Sequence, residues 1–149
     1  GVRYKPKGFI FDIQGSSSFP DANDLFLVCS YLCSNVSNEF LNILNPTLSY
    51  QANNINALPF KSADQLPGNS LIEIENISKQ CIDISKLDWD SRETSWDFQL
   101  NELIKQAKSK LKEAFLSYIE YWSQKYFELH KNTYHLINYF YGIDTWFGE

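Results

Sequence analysis

Apolar residues recur along this chain first at the interval of a strand and then at the interval of a helix. From Tyr4 to Ile13 they alternate and are rich in Phe and Ile, with Lys5-Pro6-Lys7-Gly8 as a bend, which predicts a strand or hairpin limb. After a loop over residues 14–20, Asp21 can cap a helix reaching Leu32 or beyond, with Leu25, Val28, Cys29 and Leu32 on one stripe. Residues 36–44 continue helically with Phe40, Leu41 and Leu44 inward, until Pro46 ends the run. Alternation returns briefly over residues 47–51 and predicts a second strand. A polar turn at residues 53–59 then leads into a proline-bearing connector over residues 58–68.

Asn69 or Ser70 can cap the next helix, in which Leu71, Ile74, Ile77, Cys81 and Ile84 keep the helical interval. From Asn101 onward the pattern is almost wholly helical. Leu111, Phe115, Tyr118, Trp122, Tyr126, Leu129, Thr133, Leu136 and Phe140 step by threes and fours, laying one stripe along a long helix or a helical pair of coiled-coil type. Ile119, Phe127, Ile137 and Tyr139 widen the stripe, so more than one packing neighbour is expected, and Gly142 is the expected stop. The fold class expected is α+β: a small mixed α/β part, then a mainly helical part with a long amphipathic helix.

Between the two helical regions lies Ile84 to Phe98, ISKLDWDSRETSWDF, where Trp89 and Trp96 stand seven residues apart among Asp88, Asp90, Arg92, Glu93 and Asp97. Large rings favour burial while their neighbours favour water. The run therefore reads as an irregular connector, with the two tryptophans as structural anchors pinning it to a neighbouring surface.

Composition narrows the functional classes. The chain has 149 residues, 44% of them apolar, enough for a core, and a net charge of −5. Residues 61–100 hold eight acids against four bases, so the acid is concentrated in the middle. Proteins that wrap DNA present a basic stripe, so any DNA contact here is expected to be local. Cys29, Cys33 and Cys81 are odd in number and form no CxxC pair, which predicts reduced cytoplasmic thiols rather than a disulfide framework or zinc site. No apolar run approaches a membrane span and no secretory leader is recognisable, so neither spanning nor export is expected. With no methionine and an opening inside a predicted strand, the chain is expected to be a fragment.

The run ISKLDWDSRETSWDF resembles the ISK-DWDS-ETSWDF signature near the C-terminal end of the PglX family, the adenine-specific DNA methyltransferases of BREX phage-exclusion systems. Residues 3–12 (RYKPKGFIFD), residues 45–55 (NPTLSYQANNI) and Leu58-Pro59-Phe60 are similar, in order and spacing, to the family's RY-PKGFIFD, NPTLN-QVGDI and LPI. The resemblance weakens across residues 61–76 and after Lys131. It implies that residues 1–60 are the C-terminal part of a DNA target-recognition region. Residues 61–100 would then be a connector, helix and Trp-rich loop, and residues 101–149 a helical spacer or docking region. It also implies a parent enzyme that uses S-adenosylmethionine on double-stranded DNA in the bacterial cytoplasm, with other defence-system proteins as possible partners and no membrane.

Chemistry for methyl transfer is not expected within the fragment, nor a cofactor of its own. Asn45-Pro46-Thr47 invites comparison with the Asn/Asp-Pro-Pro-aromatic loop that grips a flipped base, but Thr47 replaces the second proline and Leu48 is not aromatic; a helix-terminating turn explains it better. No GxGxxG cradle occurs. His130 and His135 miss the spacing that puts two imidazoles on one helix face, so no metal site is expected. The pairs Asp88 with Asp90 and Glu73 with Glu75 read as solvated faces, since alternate residues on a helix diverge. The DNA-binding candidates are Arg3, Tyr4, Lys5 and Lys7, with a solvated, lysine-protected edge strand as the other reading, and Tyr50, Gln51, Asn53 and Asn54, which equally make a turn. Where the family has Q-V-G-D-I this chain has Ala52, Asn53 and Asn54, and Asn53 is expected to take the left-handed conformation of the glycine. The alternative function is a helical protein-interaction module docking other subunits.

Overall fold

The computed structural model of the chain describes residues 2–11, 15–47 and 49–141, and the side chains of all of these except 134, 135 and 137–141. The described residues are helical, with no strand. In chain order come α1 (Leu25–Cys33), α2 (Asn35–Leu44), α3 (Ala52–Asn56), a short 3-10 turn (Ala63–Gln65), α4 (Gly68–Asp90), α5 (Glu102–Lys105) and α6 (Leu111–Tyr141). This overturns the α+β expectation.

Both expected strands fail for local reasons. Residues 2–11 lack a ladder partner, and an unpaired strand has nothing to satisfy its backbone. The segment turns at Lys7 and Gly8, where Gly8 adopts φ +98, a conformation a side chain would strain. It lies instead by its rings: Tyr4 stacks 6.3 Å from Phe26 of α1, and Phe11 tilts against Phe19 at 5.2 Å. Ile10 is left 92% exposed. Asp12 and Ile13, the end of that expected strand, lie outside the described residues, as do Leu48 and Gly142.

The second expected strand, residues 47–51, is curled by side chains that outcompete sheet pairing. Asn45, the C-cap of α2, donates from Nδ2 to the Ser49 carbonyl at 3.2 Å and to Asn54 Oδ1 at 3.1 Å. Thr47 donates to the same Ser49 carbonyl at 3.2 Å, and Asn54 Oδ1 accepts the Gln51 N–H at 3.0 Å, opening α3. Asn53 therefore sits in a right-handed helix and not in the expected left-handed position.

Two compact units emerge, residues 1–78 with 134–149, and residues 79–133. In the first, Tyr31, Leu41 and Leu58 form a core against which Leu32, Phe40, Tyr50 and Ile55 pack. The Tyr31 and Phe60 rings meet at 5.6 Å. Ser34 separates α1 from α2: its hydroxyl accepts the Ser37 N–H at 3.2 Å, an N-cap for the second helix. Asp24 Oδ1 accepts the Ala63 N–H at 2.8 Å and so ties the irregular connector to the start of α1. The stripe read for α4 is correct, with Ile74 and Ile84 buried and Leu71, Ile77 and Cys81 half-buried. None of Cys29, Cys33 and Cys81 is in a disulfide. Replacing Ile74, which is 2% exposed, by Ala is expected to lower unfolding stability by about 2–5 kcal/mol, read from denaturant titration with unchanged helical circular dichroism at low denaturant.

Candidate functional site

The second unit contains the signature run and an open cleft. Within it α4 and α6 run antiparallel. Asn132 Nδ2 donates to Gln80 Oε1 at 3.0 Å near one end, and the Tyr126 hydroxyl donates to Asp88 Oδ1 at 3.0 Å further along α4. Asp88 also accepts Arg92 Nη2 at 2.6 Å. Burial, and after it the Asp88 carboxylate, push the Tyr126 phenol above its ordinary value, which keeps it a donor. Trp122, one turn earlier on α6, is 7% exposed and packs edge-on to Tyr121 at 5.4 Å.

Asp88, Arg92, Trp122 and Tyr126 line an open cleft of about 530 Å³ together with Glu93, Glu102 and Tyr118. Two of its three carboxylates are already engaged. Asp88 is held by Arg92 and Tyr126, and the buried Glu102 accepts Gln106 Nε2 at 3.2 Å and pairs with Lys105 at 3.2 Å. Such an arrangement can bind and orient; it does not present a nucleophile beside a base.

The signature run divides differently from the sequence expectation. α4 continues through Trp89 to Asp90, so the first half of ISKLDWDSRETSWDF is helix and only residues 91–100 are irregular. Nor are the tryptophans what holds it: Trp89 is half-exposed and Trp96 is fully exposed at 102%. The buried group is Ser95, whose hydroxyl donates to Asp90 Oδ1 at 2.7 Å and accepts the Asp97 N–H at 3.2 Å. Lys86 pairs with Asp90 and, at 3.2 Å, with Asp97. The physical reason is that a tight polar turn satisfies its own donors and acceptors more completely than a ring can.

The sequence candidates fall into two stretches. Tyr50, Gln51, Asn53 and Asn54 are brought together at the start of α3, where the Tyr50 hydroxyl donates to Asn42 Oδ1 at 2.9 Å and Asn54 is half-buried in the turn. Gln51 and Asn53 remain exposed. Arg3, Tyr4, Lys5 and Lys7 are exposed on the extended segment beside α1. A further basic stretch escaped the sequence reading: Lys105, Lys108, Lys110 and Lys112, all exposed, between the end of α5 and the first turn of α6. The spacing KxxKxKxK was its signal. His130 is exposed, and the side chain of His135 lies outside those described. No helix among the described residues is long and apolar enough to cross a membrane.

Gly8 and Gly68 have open space where a Cβ would stand. Asn45-Pro46 is occupied as the end of α2.

No family model matches the chain, and no solved structure matches it. It is 31% identical over 131 residues to the adenine-specific methyltransferase BrxX of Escherichia coli O9:H4 (strain HS), across 86% of this chain and 10% of that protein. It is 35% identical over 104 residues to the adenine-specific methyltransferase PglX of Lacticaseibacillus casei (strain Zhang), across 69% of this chain and 8% of that protein. The chain is a piece of a protein of the BREX type represented by BrxX and PglX, and it spans about a tenth of the length of these relatives.

Two outcomes test the site. Ser95→Ala is expected to cost about 1–3 kcal/mol, because it leaves the Asp90 carboxylate and the Asp97 amide without their shared partner, and to speed hydrogen exchange over residues 91–100. Hydrogen bonds from Lys86, then from Ser95, hold the Asp90 carboxyl below its ordinary value. A depressed folded-state pKa contributes stability that is present above the unfolded value of about 4 and is lost as pH falls through the folded value. Acid unfolding of Asp90→Asn should therefore be less steep below about pH 4 than that of the parent chain.

Proposed function

We propose that this chain is a non-catalytic part of a site-specific adenine-N6 DNA methyltransferase of a phage-defence system, helping to hold duplex DNA in register while methyl transfer takes place elsewhere in the enzyme. The observation that carries this reading is the match to two adenine-specific methyltransferases across most of this chain and a tenth or less of theirs. The geometry supports it: the amides and phenol of Tyr50, Gln51, Asn53 and Asn54 lie together on the α3 turn, and Arg3, Lys5 and Lys7 are free to meet phosphates. S-adenosylmethionine would belong to the catalytic part, where it supplies the methyl group to the extruded adenine. In the bacterial cytoplasm the DNA is the partner, and recognition is a matter of backbone positioning plus base-edge contacts.

A second reading is that the chain docks another protein of the defence system, favoured by Trp96, Phe127 and Leu111, large apolar side chains left exposed in the second unit. A salt titration of duplex binding separates the two. An Arg3, Lys5, Lys7 triple alanine variant is expected to bind more weakly with a shallower salt slope; an unchanged slope and affinity favour protein docking. The isolated chain is expected to show neither methyl transfer nor S-adenosylmethionine binding, and robust activity in either assay overturns the division of labour.

A further inference from the structure

We infer that the turn joining α5 to α6, with Lys105, Lys108, Lys110 and Lys112, is a contact surface for the phosphate backbone of duplex DNA. The inference rests on the DNA-holding reading above but on different residues.

Charge is the first argument. The chain carries −5, yet residues 102–113 hold four lysines against two glutamates, so the local sign is reversed. Partnering is the second. Glu102 is buried and spoken for by Lys105 and Gln106, which removes it as a competitor for the other cations. Lys110 meets Glu113 only at 4.0 Å, both of them well exposed, a pair of little energetic value that phosphate can displace. Lys108 and Lys112 have no carboxylate within 4.0 Å among the described residues.

The backbone is the third argument. Lys110 closes the first turn of α6 by accepting the N–H groups of Glu113 and Ala114 at 3.1 Å, so the lysines flank the opening of a 31-residue helix whose dipole end is positive. Residues 107–110 are irregular, which lets the ammonium groups at 108, 110 and 112 spread along a strand of phosphates instead of following one helix face. An ammonium is a compact, rotatable cation suited to phosphate without base preference. The surface therefore supplies sequence-independent affinity, complementary to the amide-bearing α3 turn.

The test is fluorescence anisotropy of a labelled duplex with the whole 149-residue chain, titrated from about 50 to about 200 mM salt. The variants are Lys108→Gln/Lys110→Gln/Lys112→Gln, the same three positions as Arg, and the Arg3, Lys5, Lys7 alanine variant. The Gln variant is expected to retain helical circular dichroism, to lose about two to three units of log–log salt slope and to bind on the order of tenfold or more weaker at low salt; the Arg variant is expected to keep the slope. A Gln variant with the parent's slope overturns the inference, and if the Arg3, Lys5, Lys7 variant is then the weakened one, the DNA-holding reading survives without it. A folded parent chain that binds no duplex at the lowest salt overturns both.

Discussion

Asp88 and Asp90, two residues apart at the end of α4, point to different partners, and the second unit depends on that divergence. Asp88 reaches α6 through the Tyr126 hydroxyl and holds Arg92 at the same time. Asp90 turns to the loop, where Ser95 and Lys86 bind it. One helix end thus fixes both its helical neighbour and the return of the chain. The tryptophans that make the run conspicuous are not required for this, which leaves Trp96 wholly outside.

Function follows from what such a frame can offer. Asp88, Asp90 and Glu102 are committed to ion pairs and hydrogen bonds, the cleft is lined in part by phenols, indole and one guanidinium, and exposed lysines stand at the turn that opens α6. These are the materials of binding and positioning. The adenine-specific methyltransferases this chain resembles are about ten times longer than the stretch they share with it.

Much of the helical structure was legible from spacing alone. The series Leu71, Ile74, Ile77, Cys81 and Ile84 gave the buried face of α4, and Tyr118, Trp122, Leu129, Thr133 and Leu136 gave that of α6. Three members of that second series, Leu111, Phe115 and Tyr126, are exposed, because helical spacing reports a shared face and not what covers it. Phe140, Ile137 and Tyr139 lie outside the described side chains. The strands expected at residues 4–13 and 47–51 are absent among the described residues, because alternation over a few residues records side-chain polarity, while a strand also needs a ladder partner elsewhere in the chain. At the second of these, Asn45, Thr47 and Asn54 supplied a local substitute for pairing. In the candidate site the tryptophans drew the eye, whereas Ser95, a small residue that no periodicity marks, closes the loop. The lysine turn was visible as a spacing, and only the structure shows that Lys108 and Lys112 have no carboxylate within 4.0 Å among the described residues.

The central claim is that this chain meets DNA and leaves the methyl donor to other parts of the enzyme. Hydrogen–deuterium exchange of the whole chain, with duplex and separately with S-adenosylmethionine, tests it most directly. The expected result is slowed exchange with duplex at the α3 turn and the opening of α6, and no change with S-adenosylmethionine. Protection by S-adenosylmethionine, with none by duplex, would contradict it.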